Sequence, residues 1–153
     1  MGKRDGFFLG ESSRFTRTVA ADVVDAFALV STDDNPLHLD ADYAATTRFG
    51  KRIAHGMIAA SYISAMMGTQ FPGHGAIYMS QSLKFTRPVY IDDVLEVVAT
   101  VTAYDPERSI LTLATVVTNQ HGKTVLSGEA VCLVSDVVVV PTLTTLDEST
   151  TYV

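Results

Sequence analysis

Gly56-Met57-Ile58-Ala59-Ala60-Ser61-Tyr62-Ile63-Ser64-Ala65-Met66-Met67 is apolar almost all the way around a helix. Only Ser61, Tyr62 and Ser64 interrupt it. A helix without a polar face cannot lie against water, so it is expected to be buried inside something larger. Gly68 and Pro72-Gly73 mark its end. Serines within helices commonly bond back to their own backbone, which gives Ser61 and Ser64 a structural reading from the residues alone.

What encloses the helix follows it in the chain. After Gly75 the apolar period falls to two: Ile77, Met79, Leu83 and Phe85 fall on one face, Tyr78, Ser80, Ser82 and Lys84 on the other. Gln81 falls on the apolar face, where a buried amide needs partners and is either a core network residue or a ligand contact. Leu95–Ala103, Ile110–Thr118 and Thr124–Val134 alternate in the same way. Asp105-Pro106-Glu107-Arg108 and Asn119-Gln120-His121-Gly122 are the turns between them. Sequential strands with short turns predict an antiparallel sheet, and one apolar helix before it predicts a sheet wrapped around that helix. The class is α+β. Such a sheet leaves an edge that invites a second copy, so a homodimer is expected.

Upstream, Arg14–Val19 alternate as a short first strand. Ala20, Val23, Val24, Phe27 and Val30 recur at helical spacing. That helix stops at Ser31-Thr32 and hands over to Asp33-Asp34-Asn35-Pro36-Leu37-His38. Asp33 and His38 would stand about 140° apart on a continuous helix. Pro36 lacks a backbone donor and biases Asn35 toward extended geometry, so a rigid loop is expected, on which the two side chains can converge. Asp40–Phe49 is expected to be a short helix capped by Asp40. Arg48-Phe49-Gly50-Lys51-Arg52 is the one dense basic cluster, either a solvated turn or a seat for phosphates.

The chain of 153 residues is 47% apolar, enough for one domain with a real core. Residues 1–140 are expected to form that domain and 141–153, rich in threonine, a flexible tail. A net charge of −6 without a basic run argues against nucleic acid and anionic membranes as partners. A single cysteine, Cys132, allows no internal disulfide. No run reaches the roughly 20 apolar residues of a membrane span, and no signal peptide is legible, so a cytoplasmic protein is expected.

Asp33-Asp34-Asn35-Pro36-Leu37-His38, Ala54-His55-Gly56-Met57 and Ser80-Gln81-Ser82-Leu83-Lys84-Phe85 with Pro88-Val89, in this order, resemble the MaoC-like (R)-specific enoyl-CoA hydratases. The resemblance runs from about the first helix to Val134. It implies a hot-dog fold, usually a homodimer, and reversible syn hydration of trans-2-enoyl-CoA to (R)-3-hydroxyacyl-CoA, with acyl-CoA as ligand and no cofactor.

An Asp-His pair sharing one water suits that chemistry, with Asp33 as the expected base and His38 as its partner. Asn35 is expected to fix the loop through backbone bonds. Gly56 opens the buried helix, where unpaired N–H groups can hold the enolate oxygen. The resemblance further implies that Ser64 assists binding and that Met67 and Val131 border the acyl pocket, plain core packing being their alternative. His55 is expected to be structural, and His74 and His121 solvated. No two histidines share a helix face at ligand spacing, so no metal is expected.

The family commonly has glycine where this chain has Thr32. If relatives use a positive φ there, threonine carries strain. Hot-dog thioesterases share the fold and ligand but do not usually carry Asp-x-Asn-Pro-x-His. A non-catalytic acyl-CoA-binding subunit would have little use for Asp33, Asn35, His38 and Gly56 together. An extra carboxylate on the substrate would want an inward-facing arginine, for which Arg48, Arg52 and Arg87 are candidates.

Overall fold

A computed structural model describes residues 4–138; the expected tail, 141–153, lies outside them. The strands are β1 (Ser12–Thr18), β2 (Ile77–Gln81), β3 (Lys84–Phe85), β4 (Val94–Asp105), β5 (Ile110–Thr118) and β6 (Thr124–Leu133). The helices are α1 (Ala21–Ser31), α2 (Pro36–Leu39), α3 (Ala41–Ala45) and α4 (Gly56–Thr69). All pairings are antiparallel, in the order β1-β4-β5-β6-β2, with β3 also on β6.

Period-two patterning builds the core. Leu95, Val97, Ala99 and Val101 of β4, and Leu111, Leu113 and Val117 of β5, point inward and are at most 2% exposed. They meet Ile58, Ala59, Ile63, Met66 and Met67 of α4 in one cluster that extends from Val19 to Val137. Burying a large aliphatic side chain is worth about 2 kcal/mol, so this face of α4 anchors the helix to the sheet.

The burial of α4 is one-sided. Met57, Ser61, Ser64 and Gly68 form an exposed stripe along the helix, so the expectation of burial all around fails within a single chain. The sheet reaches one side of the helix only. On α1, Val24 and Ala28 are buried, but Val30 is 82% exposed, because the last turn projects away from the core.

β2 reverses the expected faces. Ile77 and Met79 are each 56% exposed, while Tyr78 packs against the core. A bulge between Tyr78 and Ser80 then switches the alternation, so that Tyr78 and Gln81, three apart, share a side and hydrogen bond. Gly128 of β6 lies directly beneath: a Cβ there would stand 1.8 Å from the Ser82 carbonyl oxygen. Among the described residues no helix is long and apolar enough to cross a membrane.

Candidate active site

After α1, residues 32–35 form the expected loop, but Pro36–Leu39 continues as a short helix, α2. Pro36 sits in its first turn, where a missing N–H costs nothing. The Asn35 side-chain oxygen caps it by accepting from the Leu37 N–H at 3.0 Å. Asn35 thus fixes the segment through backbone, as its chemistry suggested. Asp40 caps α3 in turn, accepting from the Tyr43 N–H at 2.9 Å. This helix is shorter than the sequence pattern predicts, ending at Ala45.

Three bonds strap Asp33–His38 to residues 52–55. The Arg52 guanidinium donates to the His38 carbonyl, and its other arm pairs with Asp25 at 2.8 Å. A carbonyl can only accept, so Nδ1–H of His38 donates to the Ile53 oxygen at 2.7 Å. By the same reasoning Nε2–H of His55 donates to the Asp33 carbonyl at 2.9 Å. His38 therefore holds its proton on Nδ1 when neutral and offers the Nε2 lone pair.

The His55 ring, 3% exposed, stacks on His38 with 3.9 Å between centroids. Its Nδ1 has no partner among the described residues. The sequence reading took His55 only as structural; it touches both members of the expected acid–base pair. Its position just before Gly56 was the available signal, but the contact with a loop 22 residues away follows from tertiary structure.

An oxygen of Asp33 and one ring nitrogen each of His38 and His55 lie within 4.8 Å of one another, a span one water can bridge. This donor set also suits a divalent cation in kind. However, the two rings lie nearly face to face, 32° between planes, so their in-plane lone pairs run side by side instead of meeting at one ion.

Gly56 begins α4, and its N–H has no backbone partner among the described residues; the first turn closes with Ile58 N–H on the His55 carbonyl at 3.1 Å. The helix start therefore presents a free donor at the cavity that His38 also borders. A Cβ on Gly56 would meet the Phe85 ring at 2.9 Å. Thr32 has φ 63°, the left-handed conformation anticipated for this position.

One cavity reaches this group through His38 and Gly56, and a second adjoins it at Met57; Asp33 borders neither. The first, of about 480 Å³, is bordered by His38, Gly56, Phe85, Arg87, Arg48 and Val89. The other, of about 500 Å³, is bordered by Phe27, Met57, Ser61, Ser64, Tyr78 and Gln81. Ser64 thus joins a cavity next to Met57, while Ser61 donates to the Ile58 carbonyl at 2.6 Å. Gln81 satisfies itself within the protein, donating to the Ser82 carbonyl and to Thr115 and accepting from Tyr78. Met67 is 2% exposed in the core and borders neither cavity. Val131 also borders neither; alternation on β6 turns Ala130 and Cys132 toward the core, and Val131 away. Of the three arginine candidates, Arg52 is spent on His38 and Asp25, while Arg48 and Arg87 reach a cavity.

Residues 8–125 match the model of the MaoC like domain. The chain is 46% identical over 125 residues to an (R)-specific enoyl-CoA hydratase of Rhodospirillum rubrum, covering 82% of this chain and 86% of that one. It is 44% identical to the corresponding enzyme of Aeromonas caviae over 80% of this chain and 92% of the other. The R-hydratase PhaJ1 from Pseudomonas aeruginosa superposes with a TM-score of 0.82 at 42% identity, over 92% of each chain. With a matched region that spans most of the chain, and relatives this similar over most of their length, the chain belongs to the MaoC-like dehydratase family and has its hot-dog fold.

Proposed function

We propose that the protein is an (R)-specific enoyl-CoA hydratase, a hydro-lyase that adds water reversibly to a trans-2-enoyl-CoA. The observation that carries this reading is that His38, clustered with Asp33, borders the same cavity as Gly56 at the start of α4. The likeness to (R)-specific hydratases supports it. One water donates a hydrogen to the Asp33 carboxylate and the other to Nε2 of His38. Its oxygen then attacks C3 while the pair takes up one proton. The C2–C3 π pair becomes the C1–C2 double bond as the carbonyl π pair moves onto the thioester oxygen, and the Gly56 N–H at the positive end of α4 holds that enolate. The proton returns to C2 on the same face, which makes the addition syn.

The working unit in this reading is a homodimer. Met57, Ile77, Met79 and Phe85 are each more than half exposed, on the edge strands and at the start of α4. Such an apolar surface beside an open sheet edge favours a second copy. We assign Ser64 and Gln81 to the wall of the acyl site through the cavity both border, and leave Met67 to support that wall from behind.

The test is loss of the conjugated enoyl absorbance of crotonyl-CoA, with chiral analysis of the product. (R)-3-hydroxybutyryl-CoA is expected, with rates lowered by at least about a hundredfold in Asp33→Asn and His38→Gln. Release of free CoA by the wild type would make the protein a thioesterase instead.

A further inference from the structure

We propose that Arg48 and Arg87 form a phosphate-binding mouth on the cavity that starts at His38 and Gly56, gripping the phosphate of the substrate's pantetheine-bearing arm. The inference rests on the acyl-thioester reading above and names where the anionic part of that substrate is held.

The chain carries a net charge of −6, and carboxylates are available to neutralise its cations. Arg4, Arg14 and Arg52 pair with Glu11, Glu96 and Asp25. Arg48 and Arg87 have no carboxylate partner among the described residues, and both border the same cavity, to which no Asp or Glu contributes. Two guanidinium groups without a carboxylate partner, bordering one cavity of an acidic protein, favour an anion there.

Both groups are also held in place. The Arg48 guanidinium lies over the Phe49 ring, 4.9 Å from its centroid. Arg87 donates through Nη1 to the Thr124 carbonyl at 2.7 Å, leaving its other N–H groups for a ligand. A planar guanidinium anchored in this way loses less entropy when it takes a phosphate. The rest of the wall (Phe85, Pro88, Val89 and Val125) is apolar. It suits the uncharged pantetheine stretch that separates a thioester from its phosphate. One cavity thus brings together the reactive histidine, an apolar wall and two cations.

The experiment compares Arg48→Ala, Arg87→Ala and the double variant on three thioesters of the same crotonyl group. These are crotonyl-pantetheine, which has no phosphate, crotonyl-4′-phosphopantetheine and crotonyl-CoA. For crotonyl-CoA, KM is expected to rise about threefold in each single variant and about tenfold in the double one. For crotonyl-pantetheine, KM is expected to be the same in wild type and variants. A matching effect with crotonyl-4′-phosphopantetheine assigns the mouth to the phosphate shared by CoA and carrier proteins. An effect confined to crotonyl-CoA places the two arginines on the nucleotide phosphates and overturns the assignment to the pantetheine phosphate. An equal rise for the phosphate-free thioester, or none for crotonyl-CoA, overturns the proposal. Calorimetric binding of CoA itself separates this outcome from failure of the hydratase reading: without any turnover, the double variant should still bind CoA about tenfold more weakly than wild type.

Discussion

Thr32 ends α1 at φ 63°, where a β-branched residue costs roughly 1–2 kcal/mol relative to ordinary backbone. Its hydroxyl recovers part of this by donating to the Ser31 carbonyl at 2.6 Å. Thr32→Gly should therefore stabilise the fold by up to about 1 kcal/mol, read as a higher urea midpoint at unchanged slope. A loss of stability would show that the hydroxyl outweighs the strain. His55 makes a second case. His55→Phe keeps the buried ring against His38 but removes the N–H that holds the Asp33 carbonyl, so kcat should fall about 10- to 100-fold with little change in KM. His55→Gln places an amide near the same point and should recover much of the rate. Equal damage in both would make His55 a packing residue only. Asp33, Asn35, His38 and Gly56 were legible because each has a local reason to be where it is: an acid, a cap, an imidazole and a helix start. Arg52 and the bonding role of His55 were not, since their partners lie 14 and 22 residues away.

At the level of elements, α4 and the strands β4, β5 and β6 could be read directly, since a buried face imposes its period on the sequence. The errors fall where the period breaks. The bulge in β2 shifts the alternation by one residue, and a shift of one exchanges the two faces, so Ile77 and Met79 go outward although their spacing points in. Met57, Ser61 and Ser64 of the exposed α4 stripe border a cavity, and composition alone does not distinguish a cavity wall from a core. Past the bulge, the connection from β2 to β3 crosses Gly128, over which the Ser82 carbonyl passes. Gly128→Ala should destabilise the fold by about 3 kcal/mol, because backbone cannot yield as a flexible side chain would. A thermal midpoint within a degree or two of wild type would mean that β3 detaches without cost.

For the molecule as a whole, the buried hydroxyl and thiol groups beneath β2 set an alkaline limit on stability. Burial pushes the Cys132 thiol from 9.0 up to about 11, and burial, with a smaller contribution from Cys132, pushes the Tyr78 hydroxyl from 10.0 up to about 12. Both groups keep their protons in the folded chain over a range where the unfolded chain has released them. The unfolded state then binds fewer protons, so stability must fall as pH rises. The fall begins as pH passes the unfolded values, near 9 for Cys132 and 10 for Tyr78, and ends above the folded ones. Below pH 9 these two groups should leave the urea midpoint flat. Between pH 9 and 10.5 it should drop in the wild type, and drop less in Cys132→Ala, which has no thiol to ionise and leaves the part from Tyr78 and from Tyr62, whose hydroxyl burial also raises. Parallel curves for the two proteins would show that Cys132 ionises alike in both states, and that its burial in the core cluster with Met67 does not hold in solution.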